Sequence, residues 1–354
     1  MNPAPTDDAS GITGTGELPA AEASWSRRTL GLLLILAALA VTLLLSLLVG
    51  SNMHPLGETW EGFINPSDSQ VSTIVWSLRV PRTALGIAVG IAYGVAGALI
   101  QAITRNPLAD TGILGVDAGA GFAVTIGVAF FGARSNASYM WWSLAGALLA
   151  TAVVYLIGSG GRTSASPVTL VLAGVALGSV LGGFGNALEL LNPDVFQRLR
   201  MWGLGTVAVV EYSGLLSMLP YLLVALIITF VIAGPLNAVA LGDDLATSLG
   251  AHVFLTRALG ITAVTLLAGT ATALTGGIGF VGIMVPHVVR WFTGPDQRWV
   301  LAYSALAAPV LVVLSDVAGR IIVPSGELQA GIVTAVVGSP VLIVLVRWRK
   351  ASGL

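Results

Sequence analysis

From Thr83 to Ala102 the chain carries no charged residue, and about 20 residues at 1.5 Å each match the roughly 30 Å hydrocarbon thickness of a bilayer. This run predicts a spanning helix, and every other element must be compatible with it. Gly86, Gly90 and Gly94 recur at every fourth position, so one face lacks side chains and a second helix can approach almost to backbone contact. The helix is expected to stop at Arg105-Asn106-Pro107, because proline pushes Asn106 toward an extended conformation and has no N–H to continue the ladder. Its other end is bracketed by Arg79 and Arg82 in the tetrapeptide RVPR, with Pro81 near the first turn, where a missing N–H costs nothing. Two readings of these fixed charges stand: anchors at a membrane surface, or docking points for acidic groups on a partner.

The run is one of ten. The others begin near Leu30 and near residues 117, 139, 167, 213, 257, 278, 299 and 330, which predicts an all-α polytopic membrane protein of about ten transmembrane helices. The eighth, GIGFVGIMVPHVVR, is short and interrupted by Pro286, so a half-length or tilted helix is an equal expectation. With 55% hydrophobic and 9% charged residues and a mean hydropathy of +0.90, no soluble domain fits. Residues 1–24 lack apolar periodicity and are expected to form a disordered cytoplasmic tail, leaving 25–354 as the transmembrane domain. Arg27 and Arg28 precede the first run, which is too long for a secretory h-region and reads as an uncleaved span. The segment from Gly50 to Leu78 is polar enough to lie in water.

Placing both termini inside puts ten of the 16 basic residues on the inner face and six, including Arg79, Arg82 and Arg320, outside. That bias agrees with the positive-inside tendency and an even number of spans. RTALGIAV at Arg82–Val89 is echoed by RALGITAV at Arg257–Val264, and the two enter the membrane from opposite sides. Such an echo is the pattern of an inverted-topology repeat, although chance repetition of common residues would give the same text.

Catalysis has little material here. There is no cysteine, and three scattered histidines make no ligand cluster. The single lysine, Lys350, is the fifth residue from the end, so no Walker A motif for ATP is present. Asp316 is the strong titratable candidate inside a run and lies four residues before Arg320, in position to pair with it. An ion-coupled transporter would need more than this. Between the sixth and seventh runs, Leu241, Leu245 and Leu249 recur every fourth residue, Asp243 and Asp244 suit the first turn of a helix, and Gly250 suits its end. This predicts a short amphipathic helix that lies on lipid or docks a partner at the inner face.

RVPR, QAITRNPLAD followed by GILGVDAGAG, LGDDLATSLG, GGIGFVGIMVPHVVR and ELQAGIVTAVVGSP together resemble the permease subunits of iron-siderophore, haem and cobalamin ABC importers, the FecCD family. The similarity runs from about Trp76 to Arg347, with Thr111 and Gln329 where the family usually has proline. The resemblance implies a type II permease in a bacterial cytoplasmic membrane, paired with a second permease subunit and two ATPase subunits, and fed by an extracytoplasmic binding protein. It implies no cofactor in this chain and no nucleic-acid partner. By motif position, Arg79, Arg82 and Arg320 would meet the binding protein. Leu241, Asp243, Asp244, Leu245, Leu249 and Gly250 would belong to the element that couples to the ATPase, and Asn186, Met201 and Trp202 would line the substrate pathway. The cargo implied is a ferric siderophore, with haem or cobalamin as the alternative.

Overall fold

A computed structural model describes residues 25–51, 54–67, 69–159, 167–208, 212–323 and 326–348. The 1–24 segment, Arg162, Arg349 and Lys350 lie outside the described residues. Every regular element among the described residues is helical. In chain order these are α1 (Trp25–Leu48), α2 (Leu56–Ile64), α3 (Gln70–Ile74), α4 (Val80–Thr104), α5 (Val116–Phe130), α6 (Asn136–Ser159) and α7 (Pro167–Leu191). They continue as α8 (Pro193–Gly203), α9 (Tyr212–Ala240), α10 (Asp243–Ser248), α11 (Val253–Thr275), α12 (Val281–Thr293), α13 (Gln297–Ile322) and α14 (Ala330–Trp348).

All ten apolar runs are helical, but only seven helices among the described residues are long and apolar enough to cross a membrane. Of the ten expected, these seven have the length and composition of a complete span. The remaining three are α5, α12 and α14, of which α5 has 15 residues and α12 has 13. At 1.5 Å per residue, a helix of 13 to 15 residues reaches only about 20–22 Å.

The helix that holds the bundle together is α4. From Ala92 through Ile103 every residue is buried, as expected for a helix that is apolar all round. Its glycine face packs on α13: a Cβ on Gly90 would stand 2.5 Å from Pro309 Cα, and one on Gly86 would meet the Val313 side chain. On other faces α4 contacts α9, α11 and α12. Gln101, fully buried, donates to the carbonyls of Gly282 (3.1 Å) and Ile283 (3.2 Å) and accepts from Arg290 Nη1 at 2.6 Å. The first turn of α12 therefore starts beside the second half of α4, and with 13 residues the eighth run is a half-length helix. The non-helical residues before it include Gly276 (φ +73°) and Phe280 (φ +69°), and a non-glycine residue held left-handed is uncommon. Gly338 leaves the room that Phe280 occupies, since a Cβ there would come 2.6 Å from Phe280 Cβ.

The stretch before α4 departs from the sequence reading. It is not an irregular polar loop: α2 and α3 occupy much of it, and α3 runs through a π-helical turn, Val75–Arg79, into α4. The helix is continuous over Gln70–Thr104. The wide turn accommodates Pro81, whose missing N–H would otherwise break the ladder. Apolar contacts hold the segment, including Phe63 stacked on Trp76 at 5.5 Å.

Candidate functional sites at the two ends of the bundle

At the RVPR end, three arginines gather around the last turn of α1. The final four carbonyls of a helix have no partner within it and carry partial negative charge. Arg79 Nη1 donates to the carbonyls of Leu47 and Leu48, both at 2.8 Å. Arg320 Nη1 donates to those of Ser46 (2.9 Å) and Val49 (3.0 Å), and its Nη2 reaches Ser46 Oγ at 3.1 Å. These two guanidiniums cap α1.

Asp316, 2% exposed, sits between Arg82 and Arg320. Arg82 grips both carboxylate oxygens, with Nε at 2.8 and 2.9 Å and Nη2 at 2.5 Å, while Arg320 donates to Oδ2 from Nε at 3.0 Å and also from Nη2. Arg82 Nη1 holds Glu327 Oε2 at 2.7 Å, and Ser51 Oγ donates to the other Glu327 oxygen at 3.2 Å. Three positive charges face two carboxylates and one helix C-terminus. Arg79 is 5% and Arg320 3% exposed, so both point into the protein. The α1 terminus is the local reason both charges are buried here. Glu327, with a side chain 34% exposed, forms the open edge of the cluster.

Beside this edge lies a cavity of about 270 Å³ whose walls include Arg82, Glu327, Tyr139, Arg198, Met201 and Trp202. Two of the expected pathway residues, Met201 and Trp202, are thus brought together by α8. Asn192 caps that helix, its Oδ1 accepting from the N–H groups of Asp194 and Val195, and Pro193 sets its first turn. Asn186 is elsewhere, on an exposed stretch of α7. On the same helix Gly182 has nothing within 4 Å of an added Cβ, whereas Gly174 packs against the backbone of Ile113.

At the other end, α10 projects its leucines outward. Leu241 is 64%, Leu245 49% and Leu249 63% exposed, whereas Ala246 is fully buried. The helix is shorter than the leucine spacing suggests: Leu241 lies in the turn before it and Leu249 is its C-cap. Gly242 (φ +123°) and Gly250 (φ +82°) supply the left-handed residues at its two ends. Asp244 is exposed on the surface.

Asp243 is the fastener. Its carboxylate pairs with Arg257 through two bonds of 2.8 Å and with Arg105 Nη2, while Arg105 Nε reaches the Val239 carbonyl at 2.9 Å. Partial burial alone would push this carboxyl up, but the two guanidiniums outweigh it and hold it below the usual carboxylate range. One side chain thus ties α10 to the end of α4 and the start of α11. The sequence offered a signal for this, since Arg105 follows one apolar run and Arg257 opens another, but the closure of the three residues requires the fold.

A buried polar chain in the bundle was not anticipated. Tyr93 Oη lies 2.9 Å from Thr272 Oγ1, which donates to Asp117 Oδ1 at 2.8 Å. It joins α4, α11 and α5 through three residues of different helices, and no local pattern marks it.

Comparison with known proteins agrees with this architecture. The FecCD transport family matches residues 38–348. The ferric enterobactin transport system permease protein FepD of Escherichia coli K12 is 45% identical over 323 residues, covering 91% of this chain and 95% of that protein. The iron(3+)-hydroxamate import system permease protein FhuB of Bacillus subtilis 168 is 36% identical over 338 residues, covering 94% and 88%. Among solved structures, an inward-facing metal-chelate type ABC transporter chain superposes with a TM-score of 0.79, covering 90% of this chain and 99% of that one at 24% identity. The last result supports the fold alone. This chain belongs to the FecCD transport family and is a membrane permease subunit.

Proposed function

We propose that the chain is the translocating subunit of an ATP-driven importer for a ferric siderophore, receiving its cargo at the RVPR end and coupling to an ATPase at the α10 end. The observation that carries this reading is the fixed leucine surface of α10. Three exposed leucines, one on α10 and one at each end of it, are held by Asp243 in one apolar knob, which suits a groove on a partner better than a fluctuating loop would. The 45% identity to a permease named for ferric enterobactin favours a ferric siderophore over haem or cobalamin.

The α10 end is then cytoplasmic, as are both termini, and α5, α12 and α14 complete ten membrane segments as shorter or tilted helices beside the seven long ones. The echo between α4 and α11 supports an inverted repeat: Arg82 grips an aspartate through three bonds and Arg257 another through two, at opposite ends of the bundle. A second permease subunit would pack against the exposed α7 face around Gly182 and Asn186 and close a path between the subunits. In the outer cluster, Arg82 is the guanidinium nearest the open edge and would exchange Glu327 for an acidic group of a binding protein, while Arg79 and Arg320 stand behind it on the end of α1. Met201 and Trp202 would meet the cargo as it enters.

Affinity purification in mild detergent tests this. An ATPase, a binding protein and any second permease should co-purify, and the binding protein should retain a ferric chelate. Recovery of a haem- or corrinoid-retaining binding protein would select the alternative cargo, and recovery without any ATPase would overturn the reading.

A further inference from the structure

On the outside of the bundle, α9, α13 and α4 leave a groove of about 580 Å³. Its walls are apolar, with Leu226, Phe230 and Val231 from α9, Val95 from α4, and Leu301 and Ala305 from α13. Phe230 is 85% exposed, so the groove faces the surroundings of the protein. Pro235 contributes to the same wall. Having no N–H, it leaves the carbonyl of Val231 without its helical partner.

The groove has one charged wall residue, Arg298 in the first turn of α13. A Cβ on Gly234 would stand 3.0 Å from Arg298 Nη2, so the guanidinium lies across α9 at the end of the groove. Its nearest acid in sequence, Asp296, has Oδ1 already accepting from Asn237 Nδ2 (2.8 Å) and from the Arg298 backbone N–H (3.0 Å). Arg298 is exposed and makes no ion pair among the described residues. From Gly234 to Leu226 the groove follows α9 for about 12 Å at 1.5 Å per residue, close to half of the roughly 30 Å hydrocarbon layer. It therefore has the depth of one leaflet, the chemistry of an acyl chain, and a free cation at the end nearer α10.

We propose that this groove binds one anionic phospholipid of the leaflet on the α10 side, with an acyl chain against Phe230 and Leu301 and its phosphate on Arg298. The apolar walls take the chain by area, and the unpaired guanidinium selects headgroups that keep net negative charge over those whose phosphate is offset by an ammonium. The inference rests on the membrane placement proposed above, but its test reads lipid retention and requires no transport.

The full-length chain is purified in mild detergent, with any subunits that accompany it, and titrated with phosphatidylglycerol and phosphatidylcholine of the same acyl chains under native mass spectrometry. Phosphatidylglycerol should be retained on the order of fivefold better, the effect of one basic residue at an anionic surface. Arg298→Gln should bring the two lipids to parity, Arg298→Lys should keep most of the preference, and Ala302→Phe, at a residue of α13 that also lines the groove, should lower retention of both by filling it. Equal retention by the parent, or a preference that survives Arg298→Gln, would overturn the proposal. Displacement by glycerol phosphate alone, which has no acyl chain, would show a simple anion site, and unchanged retention in Ala302→Phe would show that the groove plays no part.

Discussion

Replacing Asp316 by asparagine separates a structural role for the RVPR cluster from a purely receptive one. Asp316 is 2% exposed and accepts hydrogen bonds from both Arg82 and Arg320. The substituted amide would keep one acceptor oxygen and turn a donor toward two guanidiniums. Breaking a buried pair by removing one partner costs about 3–5 kcal/mol, because the other charge is left uncompensated. The lower end applies here, since Arg320 keeps Ser46 and Val49 and Arg82 keeps Glu327. About 3 kcal/mol corresponds to a fall of roughly 4 °C in the thermal midpoint of a 354-residue chain. The assay is thermal unfolding in detergent micelles, with Asp194→Asn as the control, because the Arg198–Asp194 pair is exposed on both sides and should leave the midpoint unchanged. The shift should persist in about 0.5 M salt, which screens surface pairs and not buried ones. A midpoint within about 1 °C of the parent would refute the reasoning and leave the arginines free to act on a partner.

Other expectations follow from the same geometry. Leu249→Asp places a carboxylate in the exposed leucine surface of α10 and should abolish cargo-stimulated ATP hydrolysis by the assembled importer in liposomes while the chain still folds; normal stimulation would dismiss the contact. Asp243 has a lowered folded-state value, so its stabilisation is present above the ordinary carboxylate value of about 3.9 and is lost as pH falls through the lowered one. Thermal midpoints of the parent and Asp243→Asn should therefore differ by a constant amount from pH 8 to about 5 and converge below about 4, and a gap unchanged into acid would contradict the ion-pair account. Gly90→Val would drive a branched side chain into the Pro309 backbone of α13 and should cost about 1–3 kcal/mol or more, whereas Gly182→Ala, with open space around it, should leave the unfolding midpoint where it is.

Much of the fold was legible because the sequence features are local. An uncharged run of bilayer length, glycines at every fourth position and Asn106-Pro107 each act within a few residues, and α4 carries all of them as expected. The half-length α12 was also within reach, since GIGFVGIMVPHVVR is too short to span. What local pattern cannot carry is where a charge finds its partner. Arg79 reads as a surface cation from its neighbours in the chain and Arg320 as the partner of Asp316, but both are also drawn into the protein because the end of α1, 32 and 274 residues away, presents its bare carbonyls to them. The polar stretch before RVPR misled for a related reason: Val71, Ile74 and Val75 are helical residues in a segment whose charges dominated the impression. The length of α5 escaped because its apolar run ends at Phe131 without a marker distinguishing a short helix from a complete span.

The central claim is that this chain is a gate driven by a nucleotide-hydrolysing partner. Liposomes carrying the purified chain alone, and liposomes carrying it with its ATPase inside and its loaded binding protein outside, test that directly. Ferric chelate should accumulate only in the second set and only with ATP. Accumulation in the first set, driven by an ion gradient or by nothing but the chelate's own, would contradict the account.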